Sequence, residues 1–592
     1  MLLIIPALAQ AQFTFTTNNG AITITGYTGS GGSTVIPRVI NGYPVKNIGI
    51  FAFNPFPSPY VQQNQVTSLV IPDSVTNIGF SAFYGCSQLT NVVMSTNVTV
   101  LATEVFGLTG LTTFTFPSGL TNIGIGAFDS CMNLTNVLIP NGVQYIGDYA
   151  FNGNNCMNSV TIPDSVTSLG DWSFSGCINI TNLTIGNGIT TIPPATFTWC
   201  TKLTTVSIPD SVTNIGTTYY YSAFSDCFAL TNITYGSGLG LNVGSIRFSG
   251  TTNLSTITVS PKNPVLSSLN GVLFDKNQTT LIQCPVGKAG SYIIPNTVTS
   301  IWNQAFLNCS GLTDVSLSSS IASSGGNNFN GCTGITNITL LDGVTNSILG
   351  LFYACVNLES FTASPGNPCF SSVNGVLFDK NQTTLVQYPY NGNQSYTVPS
   401  GIINIADNAF AECTGLTHLV LSEGLTGIGQ YAFIDCSNLD TIVIPGSVTN
   451  IGAAAFGYCQ LLNKIYFKGN APTADDSVFI YNPPDPLGSW IIPATVYYLP
   501  GAAGWSNSFA SEPTALWLPE IQTDTSLGIS SNGFGFSINW ASGQTIVIVA
   551  STNLLNPFWS PVATNTFTSG TAYFNDPKWT NYTGRYYHVR SP

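Results

Sequence analysis

Charge is scarce in this chain. Asp, Glu, Lys and Arg make up 6% of its 592 residues, and only 13 side chains are Lys or Arg. Nucleic-acid binding needs basic stripes to neutralise phosphates, so 13 basic groups and a net charge of −12 argue against it. Histidine occurs twice, as His418 and His588. That leaves little for hydrolysis by a base-activated nucleophile, and no G-x-S-x-G turn is present. No C-x-x-C pair occurs, and a zinc site needs ligands converging on one point. No stretch approaches the ~20 apolar residues of a membrane-spanning helix. Scarce charge is not disorder here, because disorder also needs few apolar residues, and 44% of this chain is hydrophobic.

What is abundant is turn chemistry and repetition. Gly (58) and Pro (34) accompany many Thr, Asn and Ser residues, which suits short strands joined by tight turns. A period of 22–24 residues runs through the chain. Phenylalanine recurs at 83, 106, 128, 151, 174 and 197, and again at 410, 433, 456 and 479. Within each period the order L-x-x-L-x-L, I-P-x-S-V and N-I-G returns, as in Leu439 to Gly452. The first segment is a strand with alternate residues inward. Pro ends it, V-T-N-I-G makes a second short strand, and a short helical turn on the convex side carries the Phe. One such unit cannot bury both faces alone, so stacked units must share a core.

Eleven cysteines follow the repeat Phe by three residues, and Cys156 follows Phe151 by five. Parallel stacking aligns their Cβ vectors, which is poor disulfide geometry, so a ladder of buried free thiols is expected. Two gaps of 58 residues carry near-identical inserts, 263–295 and 367–399. Each is expected to project from its coil as a hairpin, and Cys284 and Cys369 fall out of register within them.

The ends differ from the middle. Residues 1–11, MLLIIPALAQA, fit a signal peptide with small-x-small cleavage sites. The basic n-region is missing, which leaves room for a true start upstream; an apolar first strand is the alternative. Residues 12–48, with a hairpin at Asn19-Gly20, are expected to cap the repeats. The leucine-rich repeat solenoid then spans 49–480, a second cap 481–518, and a small antiparallel β module 519–592.

The repeat unit CxxLTxVxIPxSVTxIGxxAF, over about residues 45–480, resembles the BspA-like (Treponema-type) leucine-rich repeats of bacterial surface proteins. The VYYLPG-x-x-GW segment is similar to secreted repeat proteins of environmental bacteria. The resemblance implies a mainly β right-handed superhelix with parallel sheets, outside the cell, with a binding or adhesive role. It implies no particular ligand.

No catalytic, metal or cofactor site is expected. Asp475-Asp476 is the only adjacent acidic pair, a solvated turn rather than a cation site. The outward strand face is the informative surface. Thr205, Asn232 and Thr234 stand there as uncharged donors and acceptors, either as strand-surface filler or as a platform for contact. An ice-binding face is disfavoured by Asn136 and Leu138, which interrupt the Thr-x-Thr rows. Near the end of the array the face changes to His418, Lys464 and Tyr466, and aromatics and cations make better anchors than Thr. The expectation is a non-enzymatic secreted or cell-surface protein that binds an extracellular protein or polysaccharide through its concave sheet. The alternatives are a structural envelope or matrix spacer, and a hydrolase within residues 519–592. Oligomeric state is left open.

Overall fold

The structure, a computed structural model, describes residues 12–54, 65–135, 137–217, 221–241, 248, 250–319, 321–324, 328–345, 351–352, 355–481, 490–491, 494–555, 557–590 and 592. The expected signal peptide and Asn136 lie outside them, as does part of the expected second cap. The chain forms two units, Met1–Thr336 with Leu351–Cys355, and Asn337–Gly350 with Val356–Pro592. Both are built of stacked coils with two parallel sheets.

The coil from Phe433 to Phe456 shows how sequence becomes shape. Cys436 N–H donates to Phe433 O and Leu439 N–H to Cys436 O, closing two tight turns. Strand Thr441–Ile444 then buries Ile442 and Ile444 and leaves Thr441 and Val443 outward. Pro445 ends the strand, and its carbonyl accepts Val448 N–H at 3.2 Å, so I-P-x-S-V is a β-turn. Asn450–Ile451 pairs in parallel with Gly427–Ile428 of the preceding coil. Gly452 follows because a Cβ there would stand 2.5 Å from Gln430 N and 2.7 Å from Gly429 C. The coils touch through backbone at that point and no side chain fits between them.

The Phe turn is not helical. A left-handed residue stands two positions before Phe456 (Ala454, φ 49°) and another two after it (Tyr458, φ 58°). Ser81 and Gly85 flank Phe83 in the same way, as do Tyr431 and Asp435 around Phe433. Successive reversals, rather than helix, turn the chain; the helix among the described residues is a 3₁₀ turn at Trp579–Asn581.

Two interactions tie coil to coil at this turn. The rings stack: centroids are 5.3 Å apart for Phe83–Phe106 and Phe128–Phe151 in the first unit. In the second they are 5.0 Å for Phe410–Phe433 and 5.1 Å for Phe433–Phe456. The thiols are more than small apolar residues. Where the preceding coil carries a Phe, the S–H donates to that residue's carbonyl, Cys131 to Phe106 at 3.0 Å, Cys436 to Phe410 at 3.2 Å and Cys459 to Phe433 at 3.0 Å. After the two inserts Cys309 and Cys413 turn to Pro285 O and Pro389 O instead. All 14 cysteines are free.

This bond corrects the placing of two cysteines. In the coil of Phe151 the slot belongs to Asn154, whose amide donates to Phe128 O at 3.0 Å; Cys156 is exposed. Cys284 is in register after all, in the Phe slot rather than the thiol slot. Its N–H donates to Ala305 O as Phe410 N–H donates to Ala432 O, and Tyr388 does the same with Ala409 O. Tyr388 accordingly stacks on Phe410 at 5.0 Å. Each insert is therefore a coil enlarged within the solenoid. Val376–Asp379 pairs antiparallel with Phe370–Val373 and Thr384–Gln387, and the latter pairs in parallel with Asn404–Ile405. Val376, Leu377, Phe378 and Leu385 are buried, so the hairpin does not project. Buried Asn367 anchors it, donating to Leu341 O and Val344 O and accepting from Cys369 N–H and Phe370 N–H. Asn263 does the same in the first unit.

At the N-terminus, Phe13–Asn18 and Ala21–Tyr27 form an antiparallel hairpin across Asn19-Gly20, and Ala21–Tyr27 pairs in parallel with Tyr43–Ile48. In the second unit, residues after 518 form antiparallel sheets around Phe536, Ile538, Trp540, Ile546 and Phe574.

Removing one ring from the column, by Phe433→Ala, should cost about 3–5 kcal/mol in denaturant unfolding, because the side chain is fully buried between two others. The thiols add a pH dependence. Burial pushes Cys86, Cys177, Cys227, Cys355 and Cys459 from 9.0 to about 12. An acid whose folded value is raised stabilises the fold below its unfolded value, and that contribution fades as pH rises above 9.0 toward 12. Each such thiol should withdraw about 1.4 kcal/mol per pH unit there, so chemical unfolding midpoints should fall steeply above that pH. At neutral pH a thiol reagent should modify exposed Cys156 rapidly and the column cysteines only after unfolding.

Candidate binding cleft on the strand face

Parallel register carries the alternation of one strand to its neighbours. Thr441 lies opposite Lys464, and Lys464 opposite Thr495; Val443 lies opposite Tyr466, and Tyr466 opposite Tyr497. His418 and Val420 hold the same places one period earlier, in His418–Val420. Two outward rows result, with members about 4.8 Å apart. One is polar (His418, Thr441, Lys464) and one is apolar and aromatic (Val420, Val443, Tyr466).

A cleft of about 1330 Å³ lies over these rows. Its other wall comes from beyond the repeats: Leu516 to Glu520, Asn539 to Ser542, Gly570 and Thr571. Tyr466 stacks on Tyr497 with centroids 5.0 Å apart and meets Trp517 at 4.5 Å. Trp517 is fixed through its carbonyl, which accepts Trp540 Nε1–H at 2.9 Å. Burial, then Tyr497 and Glu520, raise the Tyr466 phenol above its usual range, so it stays a neutral donor. Lys468 Nζ pairs with Glu423 Oε1 at 2.6 Å along one side. Lys464 is exposed, and the ion pairs among the described residues do not include it. Thr571 Oγ1 donates to Asn539 Oδ1 at 2.8 Å on the facing wall.

The structure thus brings together His418, Lys464 and Tyr466. It places Thr205, Asn232 and Thr234 elsewhere, on the strand face of the first unit. There Thr205 lies opposite Asn232, and Thr258 Oγ1 donates to Asn232 Oδ1 at 3.4 Å. Many repeat threonines just before the strands are structural: Thr90 Oγ1 donates to Thr67 O and Thr135 Oγ1 to Thr112 O, both at 3.0 Å. Asp475 spends a carboxylate oxygen on Ser477 N–H and Oγ–H within its own turn. Among the described residues no group of three or more His, Cys, Asp or Glu could hold a metal ion, and no helix is long and apolar enough to cross a membrane.

Sequence reasoning did not find Glu423, Lys468, Trp517, Asn539 or Thr571. The one available signal was charge: Lys464 and Lys468 are two of only 13 basic side chains and stand four residues apart.

A family model agrees with the repeat architecture. The family described as "BspA type Leucine rich repeat region (6 copies)" matches residues 46–178, 121–254, 217–292, 286–394 and 387–508. A leucine-rich repeat protein of Bacteroides ovatus is 20% identical over 77% of this chain and 93% of its own, with a TM-score of 0.35. A leucine rich cell surface protein of Faecalibacterium prausnitzii is 28% identical over the same shares, with a TM-score of 0.32. A leucine-rich repeat protein of T. pallidum is 30% identical over 33% of this chain and 89% of its own, with a TM-score of 0.30. No curated protein matches. The overlapping family matches run from residue 46 to residue 508, most of the chain, which therefore belongs to the BspA-type leucine-rich repeat family.

Proposed function

We propose that this protein is a non-enzymatic recognition protein, secreted or held at the cell surface, that binds an extracellular protein or polysaccharide on its outward strand face. The cleft over His418, Lys464 and Tyr466 is its main contact. Residues 519–592, in this reading, complete the site by supplying its second wall.

One observation carries the proposal. In a chain with 6% charged residues, both signs of charge and three packed aromatic rings converge on one cleft. Stacked coils need none of these there, since the core lies on the other face of the strands. Aromatic and cationic side chains in a sheltered recess are what a binding hot spot requires. Family membership supports the extracellular location.

The test is saturable binding of the full chain to an array of extracellular proteins and polysaccharides, repeated with Lys464→Glu. Lys464 is exposed and unpaired among the described residues, so the variant should fold normally and lose at least tenfold in affinity, about 1.4 kcal/mol. Absence of any saturable ligand would favour a spacer. A ligand held equally well by Lys464→Glu would place recognition outside the cleft.

A further inference from the structure

We infer that the cleft takes a neutral polysaccharide, its chain laid across the strands. This rests on the recognition reading above and adds the class of ligand.

Charge comes first. Lys464 and Lys468 line the cleft together with Glu423, Asp440 and Glu520. Carboxylates slightly outnumber ammonium groups, and the whole chain carries −12. A polyanion meets repulsion at long range and no net attraction on arrival. The two lysines, in turn, offer nothing to a polycation. Side chains of both signs in near balance suit an uncharged ligand rich in hydroxyls, because a hydroxyl donates to a carboxylate and accepts from an ammonium.

Shape comes second. The apolar row, Val420–Val443–Tyr466, is one side chain wide, and the polar row runs beside it in the same register. A sugar ring has the same division, with C–H groups on its face and hydroxyls around its rim. A chain of such rings offers both to the protein at every step, as the two rows do at every strand. Tyr466, Tyr497 and Trp517 add flat apolar area that loses little entropy on binding.

Peptide modes fit less well. Addition of a β-strand needs a free sheet edge. Here Lys464–Phe467 and Thr495–Tyr498, the strands that carry Tyr466 and Tyr497, are each paired on both sides and offer no free edge. A docked helix needs a broad apolar floor, and this floor is half polar.

The experiment uses the full chain and soluble probes: dextran, laminarin, xyloglucan and galactomannan as neutral polymers, with polygalacturonate and heparin as acidic ones. At least one neutral polymer should bind, with no comparable binding to the acidic pair. Tyr466→Ala should weaken that binding at least tenfold. Should that variant fold poorly, Val420→Glu decides, since Val420 is 43% exposed and supports no core; it should have the same effect with an unchanged melting temperature. Thr205→Ala, in the first unit, should bind like the parent. The inference is overturned if no neutral polymer binds, if the acidic polymers bind as well, or if neither cleft variant weakens binding. A protein ligand lost in Val420→Glu would overturn the polysaccharide while leaving the recognition reading in place. No saturable ligand of either kind would remove both.

Discussion

A buried S–H bonded to the carbonyl of a phenylalanine one coil earlier is the interaction on which the rest depends. That carbonyl already accepts the N–H of the cysteine in its own turn, as Phe410 O does from Cys413 N–H. Its second lone pair would otherwise be buried without a partner, at a cost of about 1–3 kcal/mol. The thiol satisfies it and fixes the next coil at the same height, while the stacked rings alongside exclude water. Asn154 keeps this bond with different chemistry, its amide reaching the equivalent acceptor, Phe128 O, whereas Thr109 and Thr251 in the same slot donate to the Phe carbonyl of their own turn.

Once coils are locked from the turn side, the strand face is released from structural duty. Its outward residues need only tolerate an extended backbone, which Thr and Asn do. Over much of the array they remain such residues. Toward the end of the second unit the face departs from that pattern, acquiring His418, Val420, Lys464 and Tyr466, and the antiparallel module closes over it. The repeat thus supplies a rigid ruler of side chains at strand spacing, and the module converts one end of it from a surface into a cleft. Rigid elements position contact residues with less loss of entropy than loops do.

How much of this was legible before the structure follows from where periodicity holds. The Phe column, the thiol column and the inward Leu and Ile residues could be read from spacing alone, because each coil repeats the same burial problem. Cys156 misled because residue type was followed instead of position: the slot three residues after Phe151 holds Asn154. The inserts misled for the converse reason. Their coils keep the register but replace Phe with Cys284 or Tyr388 36 residues after the previous Phe, so the pattern seemed to break where it continued. Half of the candidate site was readable, since His418, Lys464 and Tyr466 stand at outward strand positions. Trp517 reaches the cleft directly after a strand of the second cap, and Asn539 and Thr571 through packing of an aperiodic module, and no spacing encodes either.

Hydrogen exchange resolved by residue tests the central claim most directly. Phe433 N–H donates across coils to Ala455 O at 2.7 Å beside the ring and thiol columns. If those columns hold the coils, this amide and that of Phe410 will exchange only through unfolding of the whole unit, with the slowest rates in it. Exchange at those amides as fast as in the exposed polar turns would contradict the account.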